Sequence, residues 1–191
     1  MRIVGTVLVA LVVVQRVAEL RLSGRNRRRL LEQGARAVRD AGFGAMVASH
    51  VVLLAGCGLE PWLLDRTAPS WIAGPALVLF LAAQSMRAWV IASLGEHWNV
   101  RILASGARGV VTRGPYRWIR HPNYLVVLVE VLTLPLVTGA WITWAVVQAL
   151  HTPALVRRIR DEERALLADP AYREAMEGKP RFLPGSRSAS R

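Results

Sequence analysis

"NYLVVLVEVLTLPLVTGAWITWAVVQAL", residues 123–150, lies within the longest stretch of the chain without lysine or arginine, and its reading decides the fold. As one straight helix it would be ~42 Å long at 1.5 Å per residue, against a hydrocarbon core of ~30 Å. Both flanks are basic. Arg113, Arg117 and Arg120 precede it, and Arg157, Arg158, Arg160, Arg164, Arg173, Lys179, Arg181, Arg187 and Arg191 follow it. Positive charge next to a membrane segment stays on the cytoplasmic side, so both ends belong on the same side. A helical hairpin satisfies this, with Pro135 and the Thr138–Gly139 pair as the bend.

Three further apolar runs lie upstream, at residues 3–18, 42–64 and 71–94. Each is close to the ~20 residues that a spanning helix needs. Between the first two, residues 21–39 hold seven arginines, whereas residues 60–70 hold only Arg66 beside two acids. The first loop is therefore expected in the cytoplasm and the second outside, with the N-terminus outside. The loop at 95–120 is again basic and returns to the cytoplasm. The predicted fold is an all-α integral membrane protein of about five membrane helices, three spans plus a helical hairpin, followed by a cytoplasmic C-terminal helix.

Composition agrees with this reading. The 191 residues are 53% hydrophobic with a formal net charge of +12, and all 25 basic residues except Lys179 are arginine. Mean hydropathy is +0.30 and the isoelectric point about 11.5. Such a charge can also signal nucleic-acid binding. Here it is spread over short loops and topology explains it, so no nucleic-acid partner is expected. The first run carries only Arg2 before it and no small-residue cleavage pattern, and it reads as a retained anchor rather than a cleaved signal. Cys57, alone inside a span, reads as packing. The sequence does not specify an oligomeric state.

Chemistry gathers where the hairpin begins, in "RGPYRWIRHPNY", residues 113–124. Pro122 suits the first helical position, because its missing N–H would be unpaired there and its ring presets φ. His121 should then be the cap, outside the α region, with its imidazole off the helix axis. The amides and positive dipole end of this helix make a seat for a carboxylate or phosphate, with Arg120 and Arg117 adjacent. Tyr124 shares a helix face with His121. Trp118, Trp141 and Trp144 read as an interfacial aromatic belt.

A second group lies in "LVRRIRDEERALL", residues 155–167. At ~100° per residue, with Ile159 at zero, Leu155, Val156, Leu166 and Leu167 fall on one face, together with Glu162 and Glu163. Arg157, Asp161, Arg164 and Ala165 fall on the back. Carboxylates on an apolar face are costly unless paired, which makes them candidates for ligand contact. The plainer reading is a helical pair such as Arg158 with Glu162. A third group, Gln84, Arg87, Ile91 and Leu94, shares one face of the third span, with Arg87 ~12 Å above Gly95. A charge that deep faces a wet cavity or a partner, or snorkels outward. Gly95 should end the helix, leaving His97 and Trp98 at its exit. No histidine or cysteine pair has metal-ligand spacing, so no metal is expected, and His50 and His151 read as structural.

The pattern G-x-Y-x-x-x-R-H-P-x-Y over 114–124, followed after the hairpin by "RIRDEERALLADPAY", resembles the isoprenylcysteine carboxyl methyltransferase family of membrane enzymes. The likeness covers roughly residues 74–184. It divides the chain into N-terminal membrane helices and a basic loop over 1–70, a methyltransferase core over 71–184 and a tail over 185–191 that reads as disorder. The resemblance implies an S-adenosylmethionine site facing the cytoplasm, in a bacterial inner membrane, with a lipophilic small-molecule acceptor arriving from the membrane lipid. Carried over by motif, Tyr116, Arg120, His121, Pro122, Tyr124, Glu162, Glu163 and Tyr172 belong to the cofactor site. Val126, where many members have a small residue, and "RVAELRLSGRN" at 16–26 resemble a bacterial subgroup of alkylpyrone and alkylresorcinol O-methyltransferases. The methylated atom is then a carboxyl, phenol or enol oxygen. A phenol with a pKa near ~10 needs deprotonation or cationic stabilisation. Arg87 and His97 are the candidates, with Glu130 a further one, and Glu163 completes the predicted catalytic set. The alternatives are an NADPH-dependent membrane reductase of related architecture and a non-catalytic protein that binds anionic lipid.

Overall fold

In a computed structural model, residues 2–38, 40, 42–104 and 110–183 are described. The expected tail at 185–191, and the arginines at 39, 108, 187 and 191, lie outside them.

The protein is an all-α membrane protein. Helices α1 (Arg2–Glu32), α2 (Phe43–Leu63) and α3 (Ser70–Leu94) are followed by α4 (Pro122–Thr138), α5 (Trp141–Leu166) and a short α6 (Pro170–Met176). The first three are long and apolar enough to cross a membrane. Their outward faces carry Val14, Leu63, Trp71 and Val78 with more than half of each side chain exposed. Apolar surface of that extent is stable against lipid rather than water.

The expected hairpin is α4 and α5. Pro135 sits inside the last turn of α4, and the reversal itself occurs at Gly139–Ala140, whose N–H groups both donate to the Pro135 carbonyl at 2.9 Å. Gly139 has φ +83°, and a Cβ there would stand 2.8 Å from the Ala68 amide nitrogen. Only glycine meets both conditions. The open N-terminus of α5 is satisfied from another helix: Glu60 of α2 accepts from the Ile142 and Thr143 amides at 2.9 and 2.8 Å and from the Thr143 hydroxyl. This carboxylate fixes the turn to α2 as an N-cap would.

α4 is the central helix, packed by α3, α5, α2 and α1. α3 buries Ala73, Ala76, Phe80, Ala83, Arg87 and Val90, alternate steps of three and four that form one narrow stripe. Small residues in that stripe let α3 and α4 approach closely. The apolar core joins Leu53, Phe80, Val127, Val131, Leu134 and Val147 from four helices.

Three expectations change. The arginine-rich stretch from residue 21, read as a loop, is helical through Glu32: arginine is a good helix former, and nothing breaks the helix before Gly34 at φ +90°. α1 is thus ~46 Å long and projects beyond the bilayer. Its stripe of Gly5, Val9, Val12, Glu19, Ser23, Asn26 and Leu30 stays buried along the whole length, and Asn26 donates to the Gly95 and Trp98 carbonyls. The predicted C-terminal helix is the continuation of α5 rather than a separate element, since Pro153 lies within α5 without ending it. A two-residue antiparallel pair, β1 (Arg36–Ala37) with β2 (Leu103–Ala104), ties the α1–α2 and α3–α4 connections together.

Candidate active site

The site begins at the start of α4. The helix opens at Pro122 as the sequence predicts, and His121 takes φ −123° and ψ 56°, outside the α region, with no capping bond from its side chain. The freed imidazole crosses to α5, where Nε2 donates to Glu163 at 3.0 Å. A carboxylate only accepts, so Nε2 carries the proton. Just upstream, Gly114 (φ +59°) sets the turn that holds Tyr116, and a Cβ there would meet the Ser93 hydroxyl at 2.0 Å. The motif glycine therefore serves close packing on α3.

Glu163 is the electrostatic hub behind this region. It accepts from Arg181 at 2.9 and 2.6 Å, pairs with Arg120 at 3.4 Å, and its side chain is only 8% exposed. Burial works against its charge, but the hydrogen bonds from His121 and Arg181 and the charge of Arg120 override it and hold the carboxyl at about 2. The chain from Lys179 to Phe182 folds back over the same place as a strap. The Arg120 and His121 amides donate to the Pro180 and Arg181 carbonyls at 2.9 and 3.0 Å, and Lys179 Nζ donates to the Tyr116 carbonyl at 2.7 Å.

Glu162 is placed differently. It is half-buried and accepts a hydrogen bond from the Tyr124 hydroxyl. That hydroxyl in turn accepts from Arg158 Nε at 2.9 Å, and Arg158 also pairs with Asp40 at 2.7 Å. The helical pair Arg158–Glu162 is thus bridged by a phenol from α4. Burial and then the charge of Glu162 push the Tyr116 and Tyr172 hydroxyls up, so both remain neutral donors.

These groups line one cavity of about 450 Å³, within the range of small-molecule sites. Among the predicted residues, Tyr116, Arg120, His121, Tyr124, Glu162 and Tyr172 line it, as do Arg87 and His97. Pro122 and Glu163 stand behind its wall. Ala165, expected on the back of the helix, also lines it, while Val156, expected on the apolar face, is 42% exposed. From the polar end the cavity runs to an apolar flank formed by Leu20, Met46, Val47, Val51 and Leu54.

Arg87 is 3% exposed and lies in an ion cluster inside the membrane region. Glu130 receives both Arg87 and Arg16, the latter at 2.6 Å, and accepts from Gln84 at 2.5 Å; Glu19 takes Arg16 at 2.5 Å and Arg87 at 3.3 Å. Arg16, Glu19, Arg158 and Asp40 were missed as site residues. For the first two a signal existed, an i,i+3 charge pair at the end of an apolar run. No cluster of metal-ligating side chains occurs among the described residues.

The cavity can hold a compact cationic molecule that also carries a carboxylate. Arg120 and the start of α4 offer positive potential, Glu162 offers negative, and Asn123 Oδ1 and Trp98 Nε1 are buried in residues of the wall without a protein partner. An acceptor and a donor so placed are costly unless a ligand meets them. This donor set fits S-adenosylmethionine.

Comparison with known proteins places the chain in a family. The model of the isoprenylcysteine carboxyl methyltransferase family matches residues 76–168. The protein "Uncharacterized protein YpbQ" of Bacillus subtilis (strain 168) is 34% identical over 159 residues, which cover 83% of this chain and 94% of that protein.

Proposed function

Because the chain belongs to the isoprenylcysteine carboxyl methyltransferase family, we propose that this membrane methyltransferase takes its methyl group from S-adenosylmethionine and delivers it to a carboxyl or hydroxyl oxygen of a lipophilic acceptor at the cytoplasmic face of a bacterial inner membrane. The observation that carries this reading is one cavity that is polar and partly unsatisfied at the α4–α5 mouth and apolar along α1 and α2.

The sulfonium donor supplies an electrophilic methyl group. The protein's contribution is alignment in a site that water does not flood. Arg120 and the amide end of α4 bind the carboxylate, and Glu162 faces the cationic groups. Glu163 positions Arg120 and His121 without touching the ligand. The neutral Tyr116 and Tyr172 hydroxyls donate hydrogen bonds, and Asn123 accepts one. The apolar flank receives the acceptor's hydrocarbon part, which reaches it from the bilayer without crossing water.

Calorimetric titration of the purified protein with S-adenosylhomocysteine tests the reading. Binding is expected in the micromolar range or tighter, weakened at least tenfold by His121→Ala and by Glu162→Gln. Heat with NADPH and none with S-adenosylhomocysteine would turn the assignment to a reductase. Indifference to both, with the two variants unchanged, would leave a lipid-binding scaffold.

A further inference from the structure

Outside the residues matched by the family, one cavity side chain has the geometry of a base. His50 of α2 lines the cavity and its Nδ1 lies 2.8 Å from the Met46 carbonyl. A carbonyl has no proton to give, so Nδ1 is the donor, and in the neutral ring Nε2 carries the lone pair. Nε2 has no hydrogen-bond partner among the described residues, and it is not sealed off from the cavity as His151 Nε2 is sealed in the core. The ring is held from its other side: it packs edge-on against His151 at 5.2 Å, and His151 is fixed by Ser49 at 2.9 Å. The same Met46 carbonyl accepts from Ser49 at 2.9 Å.

Charge at the cavity wall suits what such a base would produce. Arg16, Glu19 and Arg87 line the cavity while Glu130, which pairs with both arginines, does not, so the wall itself presents two cations and one carboxylate. The charged and titratable groups facing His50 are Arg16 and Glu19 of α1, Arg87 of α3, Glu130 of α4 and His151 of α5.

We propose that His50 is the general base of the acceptor site, with Arg16 and Arg87 stabilising the oxyanion it creates, so that the acceptor is a weakly acidic hydroxyl rather than a carboxylate. This rests on the methyltransferase reading. The acceptor's O–H proton passes to His50 Nε2 as its oxygen bonds to the methyl carbon. The carbon–sulfur bond breaks with its electron pair left on sulfur. The products are a methyl ether, a neutral thioether and an imidazolium that returns its proton to water. A carboxylate is already ionised at neutral pH and needs none of this.

The test compares a dodecyl-substituted phenol, its more acidic ortho-nitro analogue and dodecanoic acid as acceptors for the wild-type protein, for His50→Gln and for His50→Ala with added imidazole. General-base catalysis is typically worth about 10²- to 10⁴-fold. His50→Gln is expected to lose at least that lower factor in kcat on the plain phenol and less than tenfold on the nitro analogue, which is largely ionised without help. S-adenosylhomocysteine affinity, the check that the variants fold, stays unchanged. Imidazole restores His50→Ala on the plain phenol only. Equal loss on both phenols, no loss on either, or methylation confined to dodecanoic acid overturns the proposal and leaves the methyltransferase standing. Failure of the wild-type protein to bind S-adenosylhomocysteine or to methylate any acceptor removes both.

Discussion

Glu162 and Glu163 are adjacent in sequence and differ in role because one helical step carries them to opposite sides of the cavity wall. Glu163 holds Arg120, His121 and Arg181 together, so Glu163→Gln should cost about 2 to 4 kcal/mol. This is at or below what breaking a buried pair usually costs, since Arg181 is half exposed and partly screened. Glu162→Gln should leave the melting temperature within about 2 °C of wild type, as a half-exposed substitution does, and act on ligand affinity instead. Thermal melts and calorimetry of the two variants separate these effects. The clamp also has a defined pH range. The folded carboxyl sits at about 2, below its ordinary value of 4.5, so its stabilisation is complete above 4.5 and is lost as pH falls toward 2. The stability gap between wild type and Glu163→Gln should therefore be constant from neutrality to about pH 5 and close below it, as urea titrations at stepped pH would show. Local chemistry made part of this site readable. His-Pro at a helix start throws the imidazole off the axis, and helical periodicity puts both glutamates toward the core. Partners were not readable, because His121 and Glu163 meet across 42 positions of chain, and Asp40 reaches Arg158 only through the packing of α2 on α5.

The α4–α5 hairpin depends on one backbone conformation. Gly139→Ala would place a Cβ in the left-handed region and drive it against the Ala68 amide. The combined penalty is about 2 to 4 kcal/mol, read as a lowered melting temperature. Glu60→Gln should weaken the same turn by about 1 to 3 kcal/mol, because the Ile142 and Thr143 amides use different carboxylate oxygens and glutamine keeps an oxygen for only one of them. The hairpin was legible because length and charge together forbid a single span, and the bend residues are strong punctuation. α1 was cut short in the sequence reading for the opposite reason. A change from valine to arginine looks like the end of a helix, yet it marks only the end of the bilayer, and the backbone continues until glycine stops it. The strap over the site has no periodicity, and its backbone bonds to Pro180 and Arg181 and its Lys179 and Arg181 side-chain bonds all reach residues distant in sequence, so local pattern carries no trace of it.

Across the molecule, the distribution of arginine sets an orientation that can be measured. The α2–α3 connection carries few basic residues, while the ends of α1 and α5 carry many. In sealed cells, Thr67→Cys should react with a membrane-impermeant maleimide and Arg173→Cys only after lysis; the reverse pattern would invert the topology and put the site outside. The ion cluster of Arg16, Glu19, Arg87 and Glu130 bears on how this arrangement is reached during synthesis. α1 enters the bilayer with Arg16 and Glu19 already neutralising each other, so when α3 emerges Arg87 meets only a Glu19 shared with Arg16, and its closer partner Glu130 is not translated until 43 residues later. An unmatched arginine at mid-helix costs roughly 2.5–3.5 kcal/mol on insertion scales. The nascent third helix thus has reason to linger beside the translocon or against α1 until the hairpin arrives. The expected course of biogenesis is a joint release of α3 and α4 rather than a helix-by-helix departure into lipid.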